Sequence, residues 1–142
     1  NKGGIMIFQE KLSFETRGRG TLVITAAICE QVLLSGVTTG LCHVFLQHTS
    51  ASLILCENAD PDVRHDINSL LEKMAPESAP FYRHTMEGPD DMPAHFKSAV
   101  FGSSISIPVS NHRLNMGIWQ SLFFCEFRNH GGSRKIVLSL YY

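Results

Sequence analysis

The first patterned stretch of the chain is IFQEKLSFET, residues 7–16. Phe8, Leu12 and Phe14 share one face and Gln9 and Lys11 the other, the period-two pattern of a half-buried strand. Arg17-Gly18-Arg19-Gly20 interrupts it as a turn. From Thr25, a capping residue, the spacing predicts a short helix to about Leu34, stopped at Ser35-Gly36, with Ile28 and Val32 one turn apart on its inner face. Residues 41–47 and 51–56 are apolar and rich in β-formers, which predicts two well-buried strands with the polar His48-Thr49-Ser50 between them. Asp60-Pro61 then signals a helix start, and Val63, Ile67, Leu70, Leu71 and Met74 predict one continuous inner stripe.

A second short helix is expected from Pro93 to Gly102. Beyond it the pattern is β: SISIPV, a turn at Ser110-Asn111-His112, a long strand over residues 117–128, a Gly131-Gly132 turn, and RKIVLSLYY. Strands with a few inserted helices, and no repeat or linker, predict a single α+β domain over residues 1–142, mostly antiparallel. Residues 1–5 are expected to be a disordered leader or a remnant foreign to the domain.

Composition narrows the function classes. Hydrophobic residues at 44% and charged residues at 18% are ordinary for a globular protein. A net charge of −1 gives no pull toward nucleic acid or a membrane surface, and neither is expected as a partner. No apolar run approaches the roughly 20 residues of a membrane span. Cys29, Cys42, Cys56 and Cys125 are scattered in apolar context without a CxxC pair, which predicts reduced, buried thiols in a cytoplasmic protein.

The chemistry concentrates in YRHTMEGPDDMPAH, residues 82–95. Gly88, Pro89 and Pro93 shape the backbone. His84 and His95 with Glu87, Asp90 and Asp91 form a ligand set for a divalent cation, and His48, at the end of a buried strand, is the expected third imidazole. The competing reading is a solvated acidic loop with Asp91 as a helix cap. Thr49 and Ser50 offer hydroxyls and strand-end amides to a phosphate, although a tight turn would use the same residues. Glu57 and Asp60 put further carboxylates at the far end of the next strand.

On the late strand, alternation groups Trp119, Ser121, Phe123, Cys125 and Phe127 on one face, and Gln120, Leu122, Phe124, Glu126 and Arg128 on the other. Arg128 is the expected anion-binding fork, with Gln120 on the same face and Glu126 orienting it; the alternative is a plain Glu126–Arg128 ion pair. GxSxG, P-loop and HExxH motifs are absent, as is a GxGxxG after a strand, so serine catalysis and nucleotide hydrolysis by those routes have no support.

LQHTSASL, ENADPDVRHD, YRHTMEGPDDMPAHFKSAVFGSS and GIWQSLFFCEFRNHGG, in this order and spacing, resemble the YjbQ-like proteins, the secondary thiamine-phosphate synthase family. The resemblance runs from about Gly20 to Tyr142; Ile118 stands where the family often has threonine. It implies a jelly-roll-like β-sandwich core with two or three short helices, and a homotrimer. It also implies a reaction, the joining of a pyrimidine methyl diphosphate to a thiazole phosphate with release of pyrophosphate. That reaction calls for a divalent metal, with zinc expected in the site and magnesium an alternative for the chemistry. Glu57, Asp60, Glu87, Asp90 and Asp91 are then the candidate catalytic carboxylates, facing a cationic pyrimidine. Two other classes fit the same residues: a metal-dependent hydrolase of a phosphorylated metabolite, and a non-catalytic metal- or metabolite-binding protein.

Overall fold

The structure, a computed structural model, describes residues 3–142. Of the leader expected at residues 1–5, Asn1 and Lys2 lie outside the described residues.

The elements run β1 (Ile7–Thr16), β2 (Gly20–Val23), α1 (Thr25–Ser35), β3 (Gly40–Leu46), β4 (Ala51–Glu57), α2 (Pro61–Met74), α3 (Asp91–Phe101), β5 (Ser104–Ser110), β6 (Arg113–Leu114), β7 (Gln120–Glu126) and β8 (Gly132–Tyr141). Every pairing among them is antiparallel. One sheet has the order β1-β8-β3-β5-β6 and the other β2-β7-β4. This is an α+β single domain of antiparallel sheet, as the patterning predicts, and a sandwich, as the family resemblance implies.

The period-two faces explain the layers. Cys42, Val44 and Leu46 of β3, Ile107 and Val109 of β5, and Ile136, Leu138 and Leu140 of β8 point inward from the larger sheet. Leu53 of β4 and Leu122 and Phe124 of β7 meet them from the smaller one, and Ile28 and Val32 of α1 join the same core. The opposite face of β7, with Phe123 and Cys125, and Phe127 just past the strand's end pack under Leu71 of α2 and Ala94 of α3. Thus β7 is buried on both faces, which is why it reads as a nearly unbroken apolar run. All four cysteines are free, and burial pushes the Cys42 and Cys125 thiols up to about 12.

Four expectations change. Residues 20–23 form β2, paired with β7 (Gly20↔Glu126 to Val23↔Phe123), although the glycine-rich start reads as a turn. The stripe of α2 is narrower than its pattern: Leu71 is buried and Ile67 partly so, while Leu70 and Met74 are 62% and 58% exposed. A helix lying on a sheet buries one line of side chains, and Leu70 and Met74 roll off its shoulder. α3 begins at Asp91, two residues before Pro93, which takes the third helical position, where its missing N–H has no intrahelical partner. His48-Thr49-Ser50 is not a hairpin turn, since β3 and β4 lie in different sheets and this segment crosses between them.

Candidate metal centre

Three pieces of chain meet where β7 ends. The start of α3 supplies Asp91 and, four residues on, His95; that spacing sets both on one helix face. The loop before α3 brings His84. Asp91 is 1% exposed, and its Oδ2 lies 2.6 Å from Nε2 of His84 and 3.0 Å from Nε2 of His95. One donor atom from each of the three residues lies within 4.8 Å of the others. Nδ1 of His95 donates to the main-chain oxygen of Thr49 at 2.7 Å, which orients the ring and leaves Nε2 toward Asp91.

Arg128 fixes the loop. Its Nε donates to Asp90 Oδ2 at 3.0 Å, Nη1 to Asp91 Oδ1, and Nη2 to the main-chain oxygen of Glu87 at 3.0 Å. Asp90 Oδ2 also accepts the Asn129 amide at 2.9 Å. Burial alone would raise both aspartates. For Asp90 the Asn129 amide and Arg128 outweigh it and hold the carboxyl below its usual range. For Asp91 the His84 hydrogen bond, with the charges of His95 and Arg128, does the same. Asp91 also stands in the first turn of α3, where the helix dipole favours an anion.

The other expected site residues divide by place. Nε2 of His48 accepts the Lys135 amide at 2.9 Å, so its lone pair is engaged and His48 is not in the three-residue cluster. Burial first, and then the nearby Arg134 charge, push its pKa down. His48 does share a cleft of about 410 Å³ with His95, Thr49, Ser98 and Ser103. Ser50 is buried, its hydroxyl accepting from Arg134 Nη2 at 2.9 Å.

Glu126 is not the side-chain partner of Arg128. It points into the sandwich and takes Arg134 of β8, from Nε at 2.7 Å and Nη2 at 2.5 Å, touching Arg128 only through its backbone amide at 3.2 Å. The inference failed because β7 stops at Glu126, and alternation holds only within a strand.

Glu57, Asp60 and Gln120 gather at the other end of the smaller sheet. Its β4–β7 ladder runs from Ala51↔Glu126 to Glu57↔Gln120, seven residues, whose ends lie about 20 Å apart. There they close local structure: Glu57 accepts the Ala59 amide at 2.7 Å, Asp60 caps α2 through the Asp62 amide at 2.9 Å, and Gln120 accepts the Gly117 amide at 2.8 Å. Two groups escaped the sequence reading. Arg134 is one, legible as the charged member of the inward period Arg134, Ile136, Leu138, Leu140. The Thr49 carbonyl is the other, and a main-chain oxygen has no sequence signal.

A small antiparallel sandwich with a helix-borne Asp–His pair, completed by a loop histidine, is the class of protein that fold and site define. The chain belongs to the YjbQ-like UPF0047 family, whose model, described as UPF0047 protein YjbQ-like, matches residues 10–142. It is 43% identical over 136 residues to UPF0047 protein YjbQ of Escherichia coli O157:H7, covering 95% of this chain and 98% of that one. It is 45% identical over 130 residues to UPF0047 protein sll1880 of Synechocystis, covering 92% and 88%. Among solved structures, an uncharacterized conserved protein of the yjbq/upf0047 family from Clostridium acetobutylicum superposes with a TM-score of 0.84 at 34% identity, covering 92% of this chain and 98% of that one. A protein of unknown function from Sulfolobus solfataricus P2 shares the fold with a TM-score of 0.87 at 20% identity, covering 97% and 99%.

Proposed function

We propose that this chain is a divalent-metal-dependent enzyme of phosphorylated small molecules, of the thiamine-phosphate synthase type. The observation that carries the metal reading is the setting of Asp91 Oδ2. His95 gives its Nδ1 hydrogen to Thr49 and turns its Nε2 to a carboxylate oxygen 3.0 Å away. That contact needs a positive charge, either a second proton on the imidazole or a cation between the two atoms. A divalent ion held by His84, His95 and Asp91 supplies it. Two imidazoles and one carboxylate suit zinc with an open position, and two nitrogen donors suit magnesium less well. The supporting contacts of a metal centre are present too: a carbonyl on the far nitrogen of His95, and a guanidinium on the second oxygen of Asp91.

When bound, such an ion neutralises phosphate oxygens and a departing pyrophosphate. The chain's own residues do the rest. Thr49, Ser98 and Ser103 line the cleft beside His95 and offer hydroxyls to a phosphate. Arg128 uses three of its five N–H groups on the loop and keeps two for an anion. The choice of thiamine phosphate as product rests on the family resemblance. One observation favours a second reading, hydrolysis of a small phosphoester: Glu57 and Asp60 lie at the far end of the sheet, which removes two of the carboxylates that would face a pyrimidine cation. Hydrolysis needs only the open metal position and water.

We assign the chain to the cytoplasm on its four free cysteines; no helix among the described residues is long and apolar enough to cross a membrane. We also propose a homotrimer with the His84 loop at its boundary, because Phe81 and Met86, which flank His84, are both more than 60% exposed. Light scattering that gives a monomer at micromolar concentration would remove the trimer.

The functional test has two stages. Calorimetric zinc titration of the wild type and of Asp91→Asn should show one site per chain, lost or weakened at least tenfold in the variant. Zinc-loaded protein, with and without magnesium, is then given both thiamine precursors and, separately, a panel of phosphate esters. Thiamine phosphate supports the synthase. Free phosphate without it supports the hydrolase. Zinc binding with neither product leaves a non-catalytic metal-binding protein, and no zinc binding removes the metal reading.

A further inference from the structure

We propose that a second binding site, for a small amphiphilic anion, lies between α2 and the outer face of the three-stranded sheet. It is independent of the metal reading. A cavity of about 210 Å³ opens there over an apolar floor that includes Ile54, Ile67, Leu71 and Phe127. Lys97 lines it from α3. Lys97 and His95 are two residues apart, about 200° around a helix, so the cavity lies on the other side of α3 from the histidines.

The charges at its rim do not balance. Arg19, Arg64 and Lys97 all line the cavity. Lys97 is 2% exposed, and its Nζ meets Glu72 Oε1 at 2.6 Å. That same oxygen also receives Arg19, whose other nitrogen reaches Glu77 at 3.0 Å. Glu126, the one carboxylate in the lining, is turned inward to Arg134. Among the described residues Arg64 has no carboxylate partner; it donates to the Asn58 side chain at 3.0 Å and lies over the Phe123 ring, 5.2 Å from its centroid. A cation held on an aromatic face beside an apolar hollow is a fixed attachment for an acidic headgroup. The hollow has room for about seven water volumes at ~30 Å³ each. That suits one ring or a short chain, with a carboxylate or phosphate directed at Arg64.

Two probes of that size test it on metal-free protein: phenyl phosphate, and benzamide as its uncharged counterpart. Methyl-labelled protein is titrated with each and followed by NMR. We expect saturable shifts at Ile54, Ile67 and Leu71 with phenyl phosphate, with Kd of ~0.1–1 mM, and binding at least tenfold weaker for benzamide. Arg64→Gln should weaken phenyl phosphate to the level of benzamide. Equal binding of the two probes by the wild type overturns the anion assignment, and this comparison does not depend on any variant folding. Shifts confined to the methyls around His95 and Thr49, or none up to 10-fold above the expected Kd, overturn the site.

Discussion

Replacing Arg134 by Met tests how the interior of the sandwich holds a buried ion pair. Glu126 and Arg134 are 3% and 6% exposed. The Glu126 carboxylate accepts Arg134 Nε and Nη2 at 2.7 and 2.5 Å, the Thr16 hydroxyl at 2.5 Å, and the amides of Phe127 and Arg128 at 3.1 and 3.2 Å. Arg134→Met keeps an apolar stem but removes two of these five donors and the only cation on the carboxylate among the described residues. Stranding a buried charge in this way costs about 3–5 kcal/mol. At this chain length that corresponds to a fall in Tm of about 10–15 °C. Adding Glu126→Gln removes the stranded charge, so the double variant should be more stable than Arg134→Met by about 1–3 kcal/mol.

The pH dependence sharpens the test. Burial raises the Glu126 pKa, but the hydrogen bond from Arg134, then that from Thr16, outweigh it, and the folded value is lowered. The pair's contribution is therefore present above the unfolded carboxylate value near pH 4.3 and is lost as pH falls through the folded one. Without Arg134 burial is opposed only by Thr16 and the two amides, so the deficit of the variant should shrink toward acid. The assay is urea unfolding followed by far-ultraviolet circular dichroism at one protein concentration, on four proteins and at two pH values. A cost under about 1 kcal/mol for Arg134→Met, or strict additivity of the two substitutions, would refute the reasoning.

Three further outcomes follow from the same geometry. Arg128→Lys keeps the charge but loses the fork to Asp90, Asp91 and the Glu87 carbonyl; stability should fall by about 1.5–3 kcal/mol, with faster hydrogen exchange in the loop before α3, and unchanged exchange would count against the clamp. The folded pKa of His48 is lowered, chiefly by burial, so its contribution is present above about pH 6.5 and is lost as pH falls through the folded value. His48→Gln should therefore flatten the dependence of Tm on pH just below neutrality, and an unchanged slope would exclude this histidine as its source. Gly40→Ala would drive a Cβ into the Tyr141 carbonyl in the β3–β8 ladder, and we expect a loss of several kcal/mol, checked by thermal melting against Gly4→Ala, where the added atom meets nothing within 4 Å.

Local periodicity carried most of the architecture into view. The faces of β1 and β7 and the N-cap of α2 follow from residues close in sequence, where a strand or helix geometry acts directly on the side chains. The misread parts lie at element ends. β2 is four exposed residues that begin with a glycine, too short to show a period. Beginning α3 at Pro93 rather than Asp91 hid the Asp91–His95 spacing, and with it the carboxylate between the two imidazoles. Extending the alternation of β7 beyond Glu126 paired Arg128 with the wrong acid. His84 and His95 were identifiable from a proline-punctuated polar stretch that no core could absorb. The partners that orient them, a carbonyl on Thr49 and an arginine 37 residues from Asp91, depend on how the sheets stack, and no local pattern encodes that.

The candidate site and the sandwich interior are joined through two adjacent residues. The Thr49 carbonyl orients His95. The next residue, Ser50, takes Arg134 on its hydroxyl, while its carbonyl accepts the Phe127 amide at 3.3 Å. Arg134 in turn balances Glu126, and Glu126 accepts the backbone of Phe127 and Arg128. Arg128 then returns to Asp91, the other side of the same imidazole pair. The contacts thus form a closed circuit: Thr49-Ser50, Arg134, Glu126, Arg128, Asp91 and His95. In such a ring no member can move without straining two others, and the polar groups it buries are stabilised only while every link is made. The consequence is directional. A ligand that draws His84, His95 and Asp91 together should stabilise the crossing between the sheets as well as the loop, and damage at Arg134, inside the core, should weaken zinc binding at histidines it does not touch.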